Sequence, residues 1–192
     1  MQPSETAEPL EGRSPEAPEP ANGGLSVVEG NNGRENFCMQ KRYYIAYGSN
    51  LNIRQMRWRC PTARIIGTGT LEDWRLMFKG SKTGAYLTIE QEEGFQVPVA
   101  VWEVSPQDEG ALDRYERFPN FYYKKEMVLD ISGIKTRKIR RRRAFVYIMH
   151  EDRKIEIPSI GYVRVCLEGY GNFGFDVETL LNAYDHSVEV AK

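Results

Sequence analysis

The chain has 192 residues, enough for one domain of ordinary size, and its 26 Lys and Arg nearly balance 27 Asp and Glu. Three cysteines with no CxxC spacing (Cys38, Cys60, Cys166) point to neither a disulfide framework nor a zinc site. Two histidines with no HxH or HxxxH spacing (His150, His186) argue against metal chemistry and a Ser-His-Asp relay, so any acid–base group is expected to be a carboxylate.

Residues 1–40 hold five of the ten prolines, seven acids, two basic residues and few large apolar side chains, a net charge of −5. Such a segment cannot bury enough apolar surface to offset its ordering entropy and reads as a disordered tail. It has no basic region followed by an apolar one, as a secretory signal would. Residues 41–192 form the predicted domain, with 24 basic and 20 acidic residues, a net charge of +4. No run approaches the ~18 apolar residues of a membrane span. These features predict a soluble cytoplasmic protein with no membrane partner.

Tyr43–Tyr47 is an aromatic, apolar run of strand character. Gly48 ends it and is expected to take the positive φ of a tight exit. Ile53, Met56 and Arg57 then show helical spacing, with Asn52 as N-cap and Gln55 completing a capping box. A strand, a Gly48-Ser49-Asn50 turn and a helix N-terminus aim several backbone N–H groups at one spot, which suits a carboxylate, a phosphate or an oxyanion. An ordinary strand-to-helix connection is the alternative.

The helix stops at Cys60-Pro61. Arg64–Leu71, Asp73–Phe78, Ala85–Ile89 and Gln96–Val104 read as four short strands, the first bent at its glycines and the last starting at an edge or bulge because of Pro98. Tyr122–Ile131 and Ala144–Met149 add two more, joined by the very basic connection Lys135–Arg143. That connection is expected to be a solvated hairpin end, with binding of an anionic partner as the lesser reading; no nucleic-acid motif accompanies it. Many short strands and few helices predict an α+β fold, a small mixed or antiparallel β-barrel flanked by a few helices.

Ser105-Pro106-Gln107-Asp108 is a strong helix start: a cap, Pro at the first position and an acid three residues on. Leu112, Tyr115 and Glu116 fall on one face, while Asp113 and Arg114 point elsewhere. Phe118-Pro119 ends the helix and leaves Glu116 near its C-terminus. A carboxylate at the negative end of a helix and partly buried has its pKa raised, which improves it as a general base. The alternative is a surface residue paired with Arg114, Arg117 or Lys124. Further on, a helix is predicted over Ile160–Glu168 with Gly169 as its C-cap, and another over Asp176–Tyr184 with Val177, Leu180, Leu181 and Tyr184 in the core. Tyr162 reads equally as a core residue or as a hydroxyl aimed into a site.

Tyr47-Gly48-Ser49-Asn50-Leu51 after the first strand, and Leu112-Asp113-Arg114-Tyr115-Glu116 some sixty-five residues later, resemble the gamma-glutamylcyclotransferase-like superfamily. Gln55–Pro61, Pro119-Asn120-Phe121-Tyr122 and Gly169-Tyr170-Gly171 fit the same pattern, so the resemblance spans residues 43–184. It implies a small fold built around a β-barrel and a reaction using no cofactor, metal or enzyme nucleophile. In that reaction the α-amine of a γ-glutamyl group attacks its own γ-carbonyl, giving 5-oxoproline and releasing an amino acid, dipeptide or amine. It also implies that Glu116 moves the proton, that Gly48, Ser49, Asn50 and Leu51 hold the glutamyl carboxylate or the oxyanion, and that Tyr47 and Tyr162 line the pocket. Arg117 stands where the family often has glycine. A monomer or homodimer is expected, with a small γ-glutamyl molecule as partner; a catalytically silent pocket that binds a small anion or a partner chain is the alternative.

Overall fold

A computed structural model describes residues 41–81 and 84–191; the expected tail, 1–40, lies outside the described residues. Five strands close into a barrel: β1 (Arg42–Ala46), β2 (Arg64–Ser81), β3 (Gly84–Val104), β4 (Tyr122–Gly133) and β5 (Ile139–Met149), in the order β1-β3-β2-β4-β5. β1 runs parallel to β5 and the other neighbours are antiparallel, so the sheet is mixed, as expected. Four helices flank it: α1 (Ile53–Arg59), α2 (Pro106–Tyr115), α3 (Ile160–Phe173) and α4 (Glu178–Val190).

The four short strands expected between Arg64 and Val104 are two long ones. β2 and β3 pair from Arg64↔Glu103 to Ser81↔Gly84, with register shifts between Ile65 and Gly67 and between Glu72 and Trp74. The second shift sets Asp73, at φ 60°, opposite four unpaired residues of β3, 92–95, so the break there is a bulge in β3 rather than a strand end. Pro98 lies just beyond Ala100, the last residue of β3 that β1 pairs, where a missing N–H removes no bond on that side. The basic connection is shorter than expected, because Ile139–Arg143 already belongs to β5 and pairs with Val128–Ser132.

The helices bear out some local signals and override others. Asn52 caps α1 by accepting from Gln55 N, but the reciprocal half of the expected capping box is absent because Asn52 N–H donates to Ser49 O at 3.1 Å. In α2 the box is complete: Ser105 Oγ accepts from Asp108 N, and Asp108 Oδ2 accepts from Ser105 N. Gly169 is not the C-cap of α3; the helix runs on to Phe173 and is capped by Gly174 at φ 67°. Gly169 is instead a contact point, where a Cβ would lie 2.7 Å from Leu51 Cβ and 2.8 Å from Asn52 N. Its lack of a side chain lets α3 press against the turn that follows β1. In α4 the core residues are Leu180, Ala183 and Ser187; Tyr184 is half-buried, and Val177 and Leu181 are exposed, contrary to expectation. The apolar stripe therefore runs one position off the expected one. No described helix is long and apolar enough to cross a membrane.

Candidate active site

Glu116 owes its place to two clamps on α2. At the helix start, the buried Asp108 accepts hydrogen bonds from Ser105 Oγ and Thr62 Oγ1, tying α2 to the chain after α1. Near the helix end, Lys124 of β4 pairs with Glu109 at 2.6 Å and Asp113 at 2.7 Å, and Tyr147 of β5 donates to Asp113 Oδ1 at 2.6 Å. Asp113, expected to point away, is thus part of the support. α2 stops at Tyr115, Glu116 is the cap residue, and Arg117 takes φ 52°, the left-handed conformation that glycine adopts without cost. None of the basic partners considered for Glu116 holds it. Its Oε1 accepts from Asn50 Nδ2 at 2.8 Å.

Asn50 comes from the other expected element. After β1 the chain makes a single 3₁₀ turn, Ser49–Leu51, with all three residues buried. Gly48 does not take a positive φ; it sits at φ −117°, and a Cβ there would lie 3.5 Å from Tyr162 Oη. Leu51 N–H donates to Gly48 O at 2.9 Å. Leu51 is therefore not an available donor, and its fully buried side chain packs under the turn, against Gly169. The N–H groups of Gly48, Ser49 and Asn50 donate to no acceptor among the described residues.

A small pocket of about 30 Å³ lies between these two elements, lined by Tyr47, Gly48, Ser49, Asn50, Glu116 and Tyr162 together with Tyr44, Leu87, Tyr122 and Tyr147. Most tyrosine hydroxyls are committed: Tyr47 donates to Tyr147 O at 2.7 Å, Tyr122 to Leu87 O at 2.8 Å, and Tyr147 to Asp113. Tyr44 Oη accepts from Asn50 Nδ2 at 2.7 Å, which leaves its hydroxyl hydrogen available to a ligand, whereas Tyr162 Oη accepts from Leu87 N at 3.1 Å and is hydrogen-bonded to the Cys166 side chain. Burial holds Tyr44, Tyr47, Tyr122 and Tyr162 well above the ordinary tyrosine pKa, so they act as neutral donors. Glu116 is pushed up to about 7 by burial, against the opposing pull of Arg59 and of the Asn50 hydrogen bond.

The site therefore brings six of the seven expected residues to one pocket, Leu51 excepted. Sequence reasoning missed Tyr44, Tyr122, Tyr147, Leu87 and Arg59. The tyrosines stand on strands that were identified, but which strands face one another is a long-range property. Arg59 was visible as the last residue of α1, about two helical turns beyond the motif.

With this geometry in view, the comparisons are decisive on family. Residues 44–164 match the model of the family described as gamma-glutamyl cyclotransferase, AIG2-like. The chain belongs to that family. It is 34% identical over 103 residues to a human gamma-glutamylcyclotransferase, covering 50% of this chain and 52% of the relative, and 34% identical over 80 residues to the Bos taurus protein of the same name, covering 38% and 43%. The chain thus spans about half the length of these relatives. A solved gamma-glutamyl cyclotransferase superposes with a TM-score of 0.62 at 22% identity, over 75% of this chain and 86% of that one. YkqA from Bacillus subtilis superposes at 0.60 with 15% identity, over 77% and 54%. These likenesses establish the shared barrel fold of this family member.

Proposed function

We propose that the protein is a γ-glutamyl cyclotransferase. The observation that carries the reading is the Glu116 carboxylate, 2.8 Å from Asn50 Nδ2, across a pocket from the unengaged N–H groups of Gly48, Ser49 and Asn50. One wall offers donors and the other a base whose pKa is near neutrality.

The substrate's α-ammonium gives a proton to Glu116, and the freed amine attacks the γ-carbonyl carbon of the same molecule. The carbonyl electrons collect on oxygen, which the turn's N–H groups stabilise. As that oxyanion collapses, the C–N bond to the leaving group breaks and Glu116 returns the proton to the departing nitrogen; the ring nitrogen's second proton then passes through Glu116 to the released amine, which leaves as its ammonium form. The products are 5-oxoproline and an amine, and Glu116 ends unchanged. The nucleophile is already tethered, so holding a cyclisable conformer supplies much of the acceleration. Tyr44, with a hydroxyl hydrogen to offer, suits the α-carboxylate.

Incubating the purified protein with γ-glutamyl dipeptides, glutathione and γ-glutamyl amines should release 5-oxoproline from at least one of them. Glu116→Gln should keep the fold and lose on the order of 10²–10⁴ in kcat/KM, the usual range for a general base. Saturable binding of every candidate with no 5-oxoproline would favour a silent binding pocket instead.

A further inference from the structure

Asn50 can serve the site only in one of its two amide orientations, and Arg59 decides which. Arg59 Nη1 donates to Asn50 Oδ1, so the amide NH₂ must face the other way, toward Tyr44 Oη and Glu116 Oε1. Reversing the amide would set an NH₂ against the guanidinium and an oxygen against the carboxylate. The guanidinium is itself held by the Tyr115 ring, with Cζ 3.3 Å from the ring centroid, a close cation–π contact. Arg59 Nε is buried and has no hydrogen-bond partner among the described residues. Losing one donor's partner costs free energy, so the arginine is placed for something other than the best satisfaction of its own polar groups.

We infer that Arg59 is a positioning residue for Glu116: it locks the Asn50 amide so that its NH₂ points at the carboxylate, and it sets a positive charge on the amide's other side. The inference deepens the cyclotransferase reading and rests on it for its catalytic meaning, although the Arg59–Asn50–Glu116 chain can be tested without turnover. The groups packed around Glu116 are Arg59 from α1, Ser49 and Asn50 from the 3₁₀ turn, Tyr44 from β1, Tyr47 just after it, Tyr115 from α2, Tyr122 from β4, Tyr147 from β5 and Tyr162 from α3. The buried tyrosines are neutral, so Arg59, with the Asn50 amide it orients, favours the ionised carboxylate. Removing that charge makes Glu116 harder to ionise, so its titration moves to higher pH.

The test is a carbon-13 NMR titration of the Glu116 carboxyl in the full chain, assigned by the signal missing from Glu116→Gln and followed in Arg59→Met, Arg59→Gln and Arg59→Lys. The first two remove the charge and should raise the midpoint by about one pH unit, the low end of the effect of a nearby opposite charge. Arg59→Lys keeps the charge and should leave the midpoint near its parent value. If Arg59→Met fails to fold, Arg59→Gln, which can still donate to Asn50, gives the same reading. A midpoint unmoved in the neutral variants, or moved as far by Arg59→Lys, would overturn the inference. A protein that makes no 5-oxoproline yet shows the predicted shifts would overturn the proposed reaction and leave the role of Arg59 standing.

Discussion

Two hollows in this barrel differ in size by more than an order of magnitude, and the proposed chemistry belongs to the smaller one. The larger, about 860 Å³, opens along the seam between β2 and β4, which pair only at Gly67↔Gly133 and Thr68↔Ser132. Its walls mix Trp74, Val128, Lys125, Asp130 and Arg141 without converging on a point. The smaller, about 30 Å³, is bounded by three residues with unengaged N–H groups, one available hydroxyl hydrogen and a carboxyl of raised pKa. Volume follows from where two strands part company; function needs polar groups that converge and are deprived of water.

Substitutions can break this contrast. The largest effect belongs to Glu116→Gln, whose loss of turnover was given above and whose stability should change as well. The native carboxyl has a pKa raised to about 7, against an ordinary value near 4.5 when unfolded. The folded state therefore holds the proton more tightly, and stability falls as pH rises between those values. At ~1.4 kcal/mol per unit the parent should lose about 2–3 kcal/mol between pH 5 and pH 8. Urea melts at the two pH values should show that loss in the parent and its absence in Glu116→Gln. Gly169→Ala comes next: a Cβ 2.7 Å from Leu51 Cβ forces α3 off the turn that carries Asn50. Overpacking of this kind costs about 1–3 kcal/mol, and the displaced turn should lower kcat/KM together with the melting midpoint.

A smaller effect, of opposite sign, is expected at Arg117. Its φ of 52° strains a side-chain-bearing residue, so Arg117→Gly should raise stability by about 0.5–1 kcal/mol in the same melts. The smallest belongs to the seam. Val128→Ser or Arg141→Ala should change stability by less than about 0.5 kcal/mol and leave 5-oxoproline formation as it was. A seam variant that abolished turnover would invert the comparison.

What the sequence displayed was local. The exit of β1, the Ser105 capping box and the place of Glu116 at the end of α2 were legible because capping residues and apolar spacing act within one or two turns. Barrel closure followed only from the number and shortness of the strands. What was hidden depended on partners far along the chain. Gly169 looks like a helix stop in isolation and is a contact point because Leu51 lies over it. Asp73 looks like a break between strands, yet pairing resumes beyond it because the extra residues, 92–95, bulge out of the opposite strand. Tyr44, Tyr122 and Tyr147 meet in the pocket through the registers β1–β5 and β4–β5, which side-chain alternation alone does not choose. The charged half of β5 read as a connection because arginines are poor strand markers, and cross-strand pairing with β4 overrode that local preference.

The central claim, that a buried Glu116 of raised pKa works as the base opposite the Gly48–Asn50 turn, is tested most directly by the pH dependence of kcat/KM for 5-oxoproline formation. The account predicts an acid limb that breaks at about pH 7, with activity falling about tenfold per unit below it as Glu116 takes up its proton. A rate that stays level from pH 8 down to pH 5, below any titration of a buried carboxyl at that position, would contradict it.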